Sequence, residues 1–224
     1  MLPLSANFLL MRKVLVTDGV HPILLEGLNG LGFQCDYYPR IGLNQVREIV
    51  ANYEGIIINS KVSMDKEMLD TAVKLEFIGR LGSGMEIIDL GYAAQKGVAV
   101  HGAPEGNCNA VAEHALGMLL ALANNFLQAD REVRQKNWQR ERNRGFEIMG
   151  RTVGIIGFGH TGSQFAKKLS GIGVEILAYD KYKTGYTNNF KQVRETTLQE
   201  ILTNADIISL HLPFTSETKH LVDS

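Results

Sequence analysis

VGIIGFGHTG, residues 153–162, is the stretch whose reading decides the fold. An apolar run beginning at Thr152 leads into three glycines in GxGxxG spacing, Gly157, Gly159 and Gly162, and a helical pattern, SQFAKKLSGIG, follows. With 23 glycines in 224 residues, that spacing alone could arise by chance. Context decides the matter. The next apolar run, VEILAYD, ends on Asp180, 18 residues after Gly162. Strand, glycine turn, helix and strand-end acid in this order make a dinucleotide-binding βαβ unit.

Each residue then has a physical task. Gly157 permits the tight turn, Gly159 lets the backbone approach a pyrophosphate, and Gly162 lets the helix pack closely on the strand. The first N–H groups of the helix, with its dipole, hold phosphate charge. Asp180 can accept hydrogen bonds from both ribose hydroxyls, and its charge repels a 2′-phosphate, which favours NAD over NADP. Lys181 and Lys183 beside it work against that preference. The alternative is a glycine-rich turn with Asp180 as an ordinary strand-end residue.

Outward from this unit, strand-like runs alternate with helical patterns, the rhythm of a parallel sheet covered on both faces. Toward the N-terminus the expected strands are KVLVTD (13–18), QCDYY (34–38), GIIIN (55–59), FIGRLG (77–82) and GVAVHG (97–102), with helices near 22–31, 43–52, 65–74 and 86–96. Residues 107–126 are apolar on most sides, as in a helix buried along its length, with Asn107 or Asn109 able to cap it and Glu113 near its positive end. The polar stretch 127–145 brings the chain into solvent. Strands return at 152–159, 174–180 and 205–213, with a short one around Val193. The expected fold class is α/β: a disordered extension at 1–12, a flavodoxin-like domain at 13–106 and an incomplete Rossmann domain at 107–224.

Composition narrows the possibilities. A net charge of −1 and a pI near 6.6 leave no electrostatic footprint for nucleic acid. No apolar run reaches the roughly 18–20 residues of a membrane span. Two cysteines, Cys35 and Cys108, suit a reducing cytoplasm better than a disulfide framework. In MLPLSANFLL the basic residues Arg12 and Lys13 follow the apolar part, unlike a secretory signal. No His, Cys or carboxylate cluster has metal-ligand spacing.

EIMGRTVGIIGFGHTGSQFAKKLSGIGVEILAYD, followed by ADIISLHLPFTSETKHLV, strongly resembles the nucleotide-binding domain of the D-isomer-specific 2-hydroxyacid dehydrogenases. FIGRLGSGMEIIDL and VAVHGAPEGNCNAVAEHALGMLLAL resemble the same family's substrate-domain loop and linking helix, so the likeness runs from about residue 13. VLVTDG, INSKVS and GRLGSG look most like the phosphoglycerate dehydrogenase branch.

The resemblance implies NAD as cofactor, with His160 and Thr161 facing the pyrophosphate through their backbone and Asp180 facing the adenosine ribose. It places His211, Leu212, Pro213 and Thr218 on the adenosine side and Cys108 near the nicotinamide side. For the substrate, a small 2-hydroxy acid such as 3-phosphoglycerate, it implies the Gly82 turn with the N–H groups of Ser83 and Gly84 on the carboxylate. Ser60 and Lys61 lie where a phosphorylated substrate could be contacted, the alternative for Lys61 being a solvated surface lysine. It further implies a cytoplasmic homodimer paired through the nucleotide-binding domain.

Departures are Gly102 for the usual Asn, Cys108 for Thr, and Glu86-Ile87 for Asp-Asn. The family's catalytic Arg, Glu and His follow the His-Leu-Pro segment, and eleven residues remain after Pro213. A C-terminally truncated dehydrogenase, inactive alone and with no catalytic residue assigned, is therefore the leading expectation. The alternatives are a non-catalytic NAD(H) sensor or corepressor-like module and a structural chain completed by a partner.

Overall fold

The computed structural model describes residues 11–223, which divide after Gly106 into two compact units. The expectation of a disordered extension falls mostly on residues outside the described ones, but Arg12 already belongs to the folded unit. Its carbonyl accepts from the Gln34 N–H at 2.9 Å, its guanidinium pairs with Glu76, and it lies 5.2 Å over the Phe33 ring.

In the first unit the order is β1 (Lys13–Val16), α1 (Pro22–Gly30), β2 (Gln34–Tyr37), α2 (Leu43–Ile49), β3 (Gly55–Ile58), α3 (Lys66–Thr71), β4 (Phe77–Arg80), α4 (Leu90–Gln95) and β5 (Ala99–Gly102). The strands are all parallel, in the order β2-β1-β3-β4-β5. That is the flavodoxin-like arrangement. Alternate strand residues feed two cores. Leu15, Ile56, Ile58 and Ile78 meet Val46, Met68, Leu69 and Ala93 of α2, α3 and α4, while Val14, Val16 and Ile57 meet Leu24, Leu25 and Leu28 of α1. Both faces being covered explains why β1 and β3 read as nearly continuous apolar runs.

Two expected helices are shorter than their apolar patterns. Asp65 accepts from the Met68 N–H and so starts α3. Asp89 accepts from the Tyr92 N–H and starts α4 at Leu90, so residues 86–89 are not helical. Ile88 instead bridges to Met64.

The second unit contains α5 (Cys108–Ala123), α6 (Phe126–Arg134), β6 (Thr152–Ile156), α7 (His160–Leu169), β7 (Glu175–Tyr179), β8 (Val193–Glu195), α8 (Leu198–Asn204) and β9 (Ile207–Leu210). Its parallel sheet has the order β8-β7-β6-β9, so the strand order reverses beside β6. Val153, Ile155, Ile176 and Ala178 pack under α5 and α7, and Ile156 and Leu177 pack under α8. β9 is an edge strand among the described residues, with Ile208 and Leu210 exposed.

Two readings of this region need correction. α5 is not buried along its length: Cys108, Ala112, Leu119 and Ala123 are buried, whereas Val111, Met118 and Leu122 are exposed. The unit's own core accepts one stripe of the helix. Neither asparagine caps it through its side chain, for Asn107 makes no such bond and Asn109 donates to Glu113. The polar stretch after it includes α6, which begins after Asn125 adopts a left-handed φ of 53°. The two helices meet at a 63° bend, and no single helix among the described residues is long and apolar enough to cross a membrane.

Candidate functional site

The turn between β6 and α7 is built by two close approaches and one open position. Gly157 has φ +93°, a conformation L side chains rarely adopt, and a Cβ there would stand 2.9 Å from the His211 carbonyl carbon and from Leu212 Cδ2. Gly162 lies so close under the loop that a Cβ would meet the Gly157 carbonyl oxygen, with Ile155 Cγ2 at 3.3 Å. Gly159, the N-cap of α7, is different. Nothing lies within 4 Å of where its Cβ would stand. Two of the glycines are therefore required by the protein's own packing, and the third opens onto space. That space borders the first turn of α7, which includes Thr161 and whose N–H groups no helix can satisfy internally.

Asp180 follows β7 and sits half-buried beside the same turn. The Phe158 N–H donates to its Oδ2 at 2.9 Å and the Tyr182 N–H to its Oδ1 at 3.0 Å. A carboxylate has about four acceptor positions, so roughly two remain for a ligand's hydroxyls. Tyr186 braces this corner: its hydroxyl accepts from the Asp180 N–H and donates to the Ala178 carbonyl, both at 3.0 Å. Burial pushes its phenol up to about 12, so it stays a donor. Its ring packs on Phe158 at 5.3 Å, and Phe158 meets Phe190 edge-on at 5.2 Å. The sequence reading did not single out Tyr186 or Phe158, because their partners lie across a loop with no periodic signal.

Among the residues after β9, the His211 imidazole is turned toward α7. It packs 5.2 Å from the Phe165 ring and shares a 2.9 Å hydrogen bond with Ser209 Oγ. Burial lowers its pKa below the usual histidine value, which keeps the ring neutral near pH 7. Leu212, Pro213 and Thr218 come together with Phe214 and Leu221 around a hollow of about 370 Å³. Thr218 ties that loop by donating to the Pro213 carbonyl at 2.7 Å. Cys108 is buried at the start of α5, and His160 is exposed at the start of α7.

The first unit holds the second group of expected residues. Ser60 and Lys61 follow β3, where Lys61 donates to the Pro39 carbonyl at 2.8 Å and lies 3.7 Å from Asp18. Asp18 also accepts from the Asn59 N–H at 2.9 Å. Gly82, Ser83 and Gly84 form the turn after β4. The Gly82 N–H is spent on the Arg80 carbonyl at 2.9 Å. Arg80, not selected from sequence, donates to Asn59 Oδ1 at 2.9 Å and the Leu81 carbonyl at 2.7 Å, while its buried Nε has no partner. The Glu86 carboxylate stands against Gly84, so an anion held by that turn meets a like charge beside it. Gly102, which replaces a larger residue of the family pattern, has the Met85 side chain packed against its Cα.

A larger hollow, about 910 Å³, lies elsewhere on the first unit and is lined by residues including Tyr37, Tyr38, Arg40 and Tyr53. Its charges are mixed, with Lys13, Arg40 and Lys74 facing Glu48 and Glu54. It has neither the glycine turn nor the strand-end acid, so size alone does not make it the site. No group of three or more candidate metal ligands occurs among the described residues.

Comparison with known proteins agrees with this geometry. Residues 116–224 match the D-isomer specific 2-hydroxyacid dehydrogenase, NAD binding domain, family. Among similar proteins, a D-3-phosphoglycerate dehydrogenase of Archaeoglobus fulgidus is 32% identical over 210 residues, 94% of this chain and 40% of that protein. One of Mycobacterium bovis is 36% identical over 210 residues, covering 94% of this chain and 40% of that protein. The chain thus spans well under half the length of these relatives. A D-lactate dehydrogenase from Aquifex aeolicus, solved with NAD and lactic acid, superposes with a TM-score of 0.79 at 28% identity, over 93% of this chain and 63% of that one.

Proposed function

We propose, from the match of residues 116–224 to the NAD-binding domain of the D-isomer specific 2-hydroxyacid dehydrogenases, that the chain belongs to that family and serves NAD-dependent oxidation or reduction at C2 of a small 2-hydroxy or 2-oxo acid. The residues of the second unit fit the dinucleotide. Gly157, Gly159 and Gly162 shape the phosphate turn, the backbone of His160 and Thr161 faces the pyrophosphate, and Asp180 takes the ribose. Leu212, Pro213 and Thr218 border the adenosine, His211 holds their loop against α7, and Cys108 lies toward the nicotinamide. When bound, NAD supplies the hydride acceptor or donor. The observation that carries the reading is the Asp180 carboxylate, fixed by two backbone N–H groups beside a glycine turn that opens onto space.

The substrate we propose is 3-phosphoglycerate or a similar acid, on the strength of the phosphoglycerate dehydrogenase relatives. The first unit is the substrate domain in this reading, with the Gly82, Ser83 and Gly84 turn meeting the carboxylate and Ser60 and Lys61 near a phosphate. We assign no catalytic acid or base within residues 11–223, and propose that these 224 residues alone bind NAD without turnover. Exposed Met118, Leu122, Phe126 and Leu127 on α5 and α6 suit a second copy of the chain, giving a homodimer. Neither cysteine is in a disulfide, which suits a cytoplasmic setting.

The test is NADH oxidation by the purified polypeptide with 3-phosphohydroxypyruvate and glyoxylate, alongside a gel-filtration or sedimentation mass. Binding without turnover, in a dimer, is expected. Turnover at the rate of a longer relative would overturn the assignment of no catalytic residue, and a monomer would overturn the pairing.

A further inference from the structure

The strand-end acid that selects for NAD carries a lysine on its very next residue. Asp180 is wrapped by the turn 180–182, whose Tyr182 N–H donates to it, so Lys181 is at the edge of the position a ribose 2′-substituent would take. A free cation there would attract a 2′-phosphate and undo the repulsion from Asp180. Lys181 is not free. Its Nζ donates to Glu217 Oε2 at 2.6 Å, and the Tyr182 hydroxyl donates to the same oxygen. The ammonium also lies 5.4 Å from the Tyr182 ring centre. The bond and pairing to Lys181 hold the Glu217 carboxyl below its usual range, and the same contact raises the lysine.

Glu217 reaches this corner from the loop after β9, and the loop is braced for it. The Thr215 N–H donates to Thr218 Oγ1 at 2.8 Å, and the Lys219 N–H donates to the Thr215 carbonyl at 2.9 Å. Both members of the pair are about half exposed, 56% and 53%. An ion pair in that setting adds little to stability. Its consequence is the local charge offered to a ligand.

We propose that Glu217 is a specificity-determining residue: by engaging Lys181 and Tyr182 it withholds that cation from the ribose 2′ position beside Asp180 and keeps the site selective for NAD over NADP. This rests on the NAD-binding reading above. Replacing Glu217 by glutamine keeps the shape and removes the charge. One unscreened unit charge near a phosphate corresponds to about a fivefold change in affinity, which fades as salt shortens the Debye length.

The experiment is fluorescence titration of NADH and NADPH into the wild-type chain, Glu217→Gln, Lys181→Ala and the double variant at low salt. Glu217→Gln is expected to improve NADPH relative to NADH about fivefold, and the double variant is expected to lose that gain. NADH binding with an unchanged ratio in Glu217→Gln, or a gain that survives loss of Lys181, overturns this inference alone. A folded wild-type chain that binds neither nucleotide overturns the proposed function and this inference with it.

Discussion

Replacing Gly162 by alanine separates what the glycine turn does for the protein from what it does for a ligand. Gly162 lies in the first turn of α7, where alanine by propensity alone would gain about 1 kcal/mol. Against that, the new Cβ collides with the Gly157 carbonyl oxygen and reaches 3.3 Å from Ile155 Cγ2. Neither neighbour is the free end of a flexible chain. The start of α7 must retreat, lifting the packing of Phe165, Ala166 and Leu169, all buried. Overpacking of this kind costs roughly 1–3 kcal/mol and more where backbone is involved. The net expectation is a loss of about 2 kcal/mol after the propensity gain, or about 8 °C in Tm for a unit of this size. Gly159→Ala is the matched control. No atom lies within 4 Å of its Cβ position and its φ is −85°, so the N-cap loss of several tenths of a kcal/mol is offset by a similar reduction in unfolded-chain entropy. Differential scanning fluorimetry reads both. A Gly162→Ala protein melting with the parent, or a Gly159→Ala protein falling as far as Gly162→Ala, would refute the reasoning.

Asp180→Ala removes the ribose acceptor and orphans the Phe158 and Tyr182 N–H groups; NADH affinity should fall about 10- to 100-fold, as for lost charged hydrogen bonds, and unchanged affinity would count against the site. Phe165→Ala empties a fully buried position under α7 and should cost about 3–5 kcal/mol in urea unfolding, a cost under 1 kcal/mol arguing against that packing. His211 has a folded pKa below its unfolded value because burial disfavours its charge. The unfolded chain therefore binds the proton first, so stability is full above about pH 6.5 and declines as pH falls below that toward the folded pKa. Unfolding midpoints at pH 7.5 and 5.5 should differ, and His211→Asn should flatten the difference; an equal slope in the variant would show that another group is responsible.

How much was legible follows from which forces wrote the pattern. The strands β1, β3, β6 and β7 stand where apolar residues run nearly unbroken, because helices cover both sheet faces. Gly157 and Gly162 were legible because a positive φ at the first and close packing at the second admit no Cβ. α6 was not, since its apolar Phe126, Leu127 and Val133 are exposed and its helix is supported by pairs such as Arg134 with Asp130 at 2.8 Å. α8 had a readable start: Thr197 accepts from the Glu200 N–H at 3.2 Å, and the Thr-x-x-Glu spacing is a capping signal. The brace of Tyr186 on Asp180 and the capture of Lys181 by Glu217 depend on loops meeting in space, the second across 36 residues. No local period encodes such meetings.

The central claim is that NAD sits on the glycine turn of the second unit. Amide hydrogen exchange with and without NAD tests it most directly, since ligand contact and helix stabilisation both slow exchange. The account predicts protection concentrated at residues 157–163 and 180–182, with none around Tyr37, Tyr38 and Arg40 on the first unit. Protection at that larger hollow with an unchanged glycine turn would contradict it.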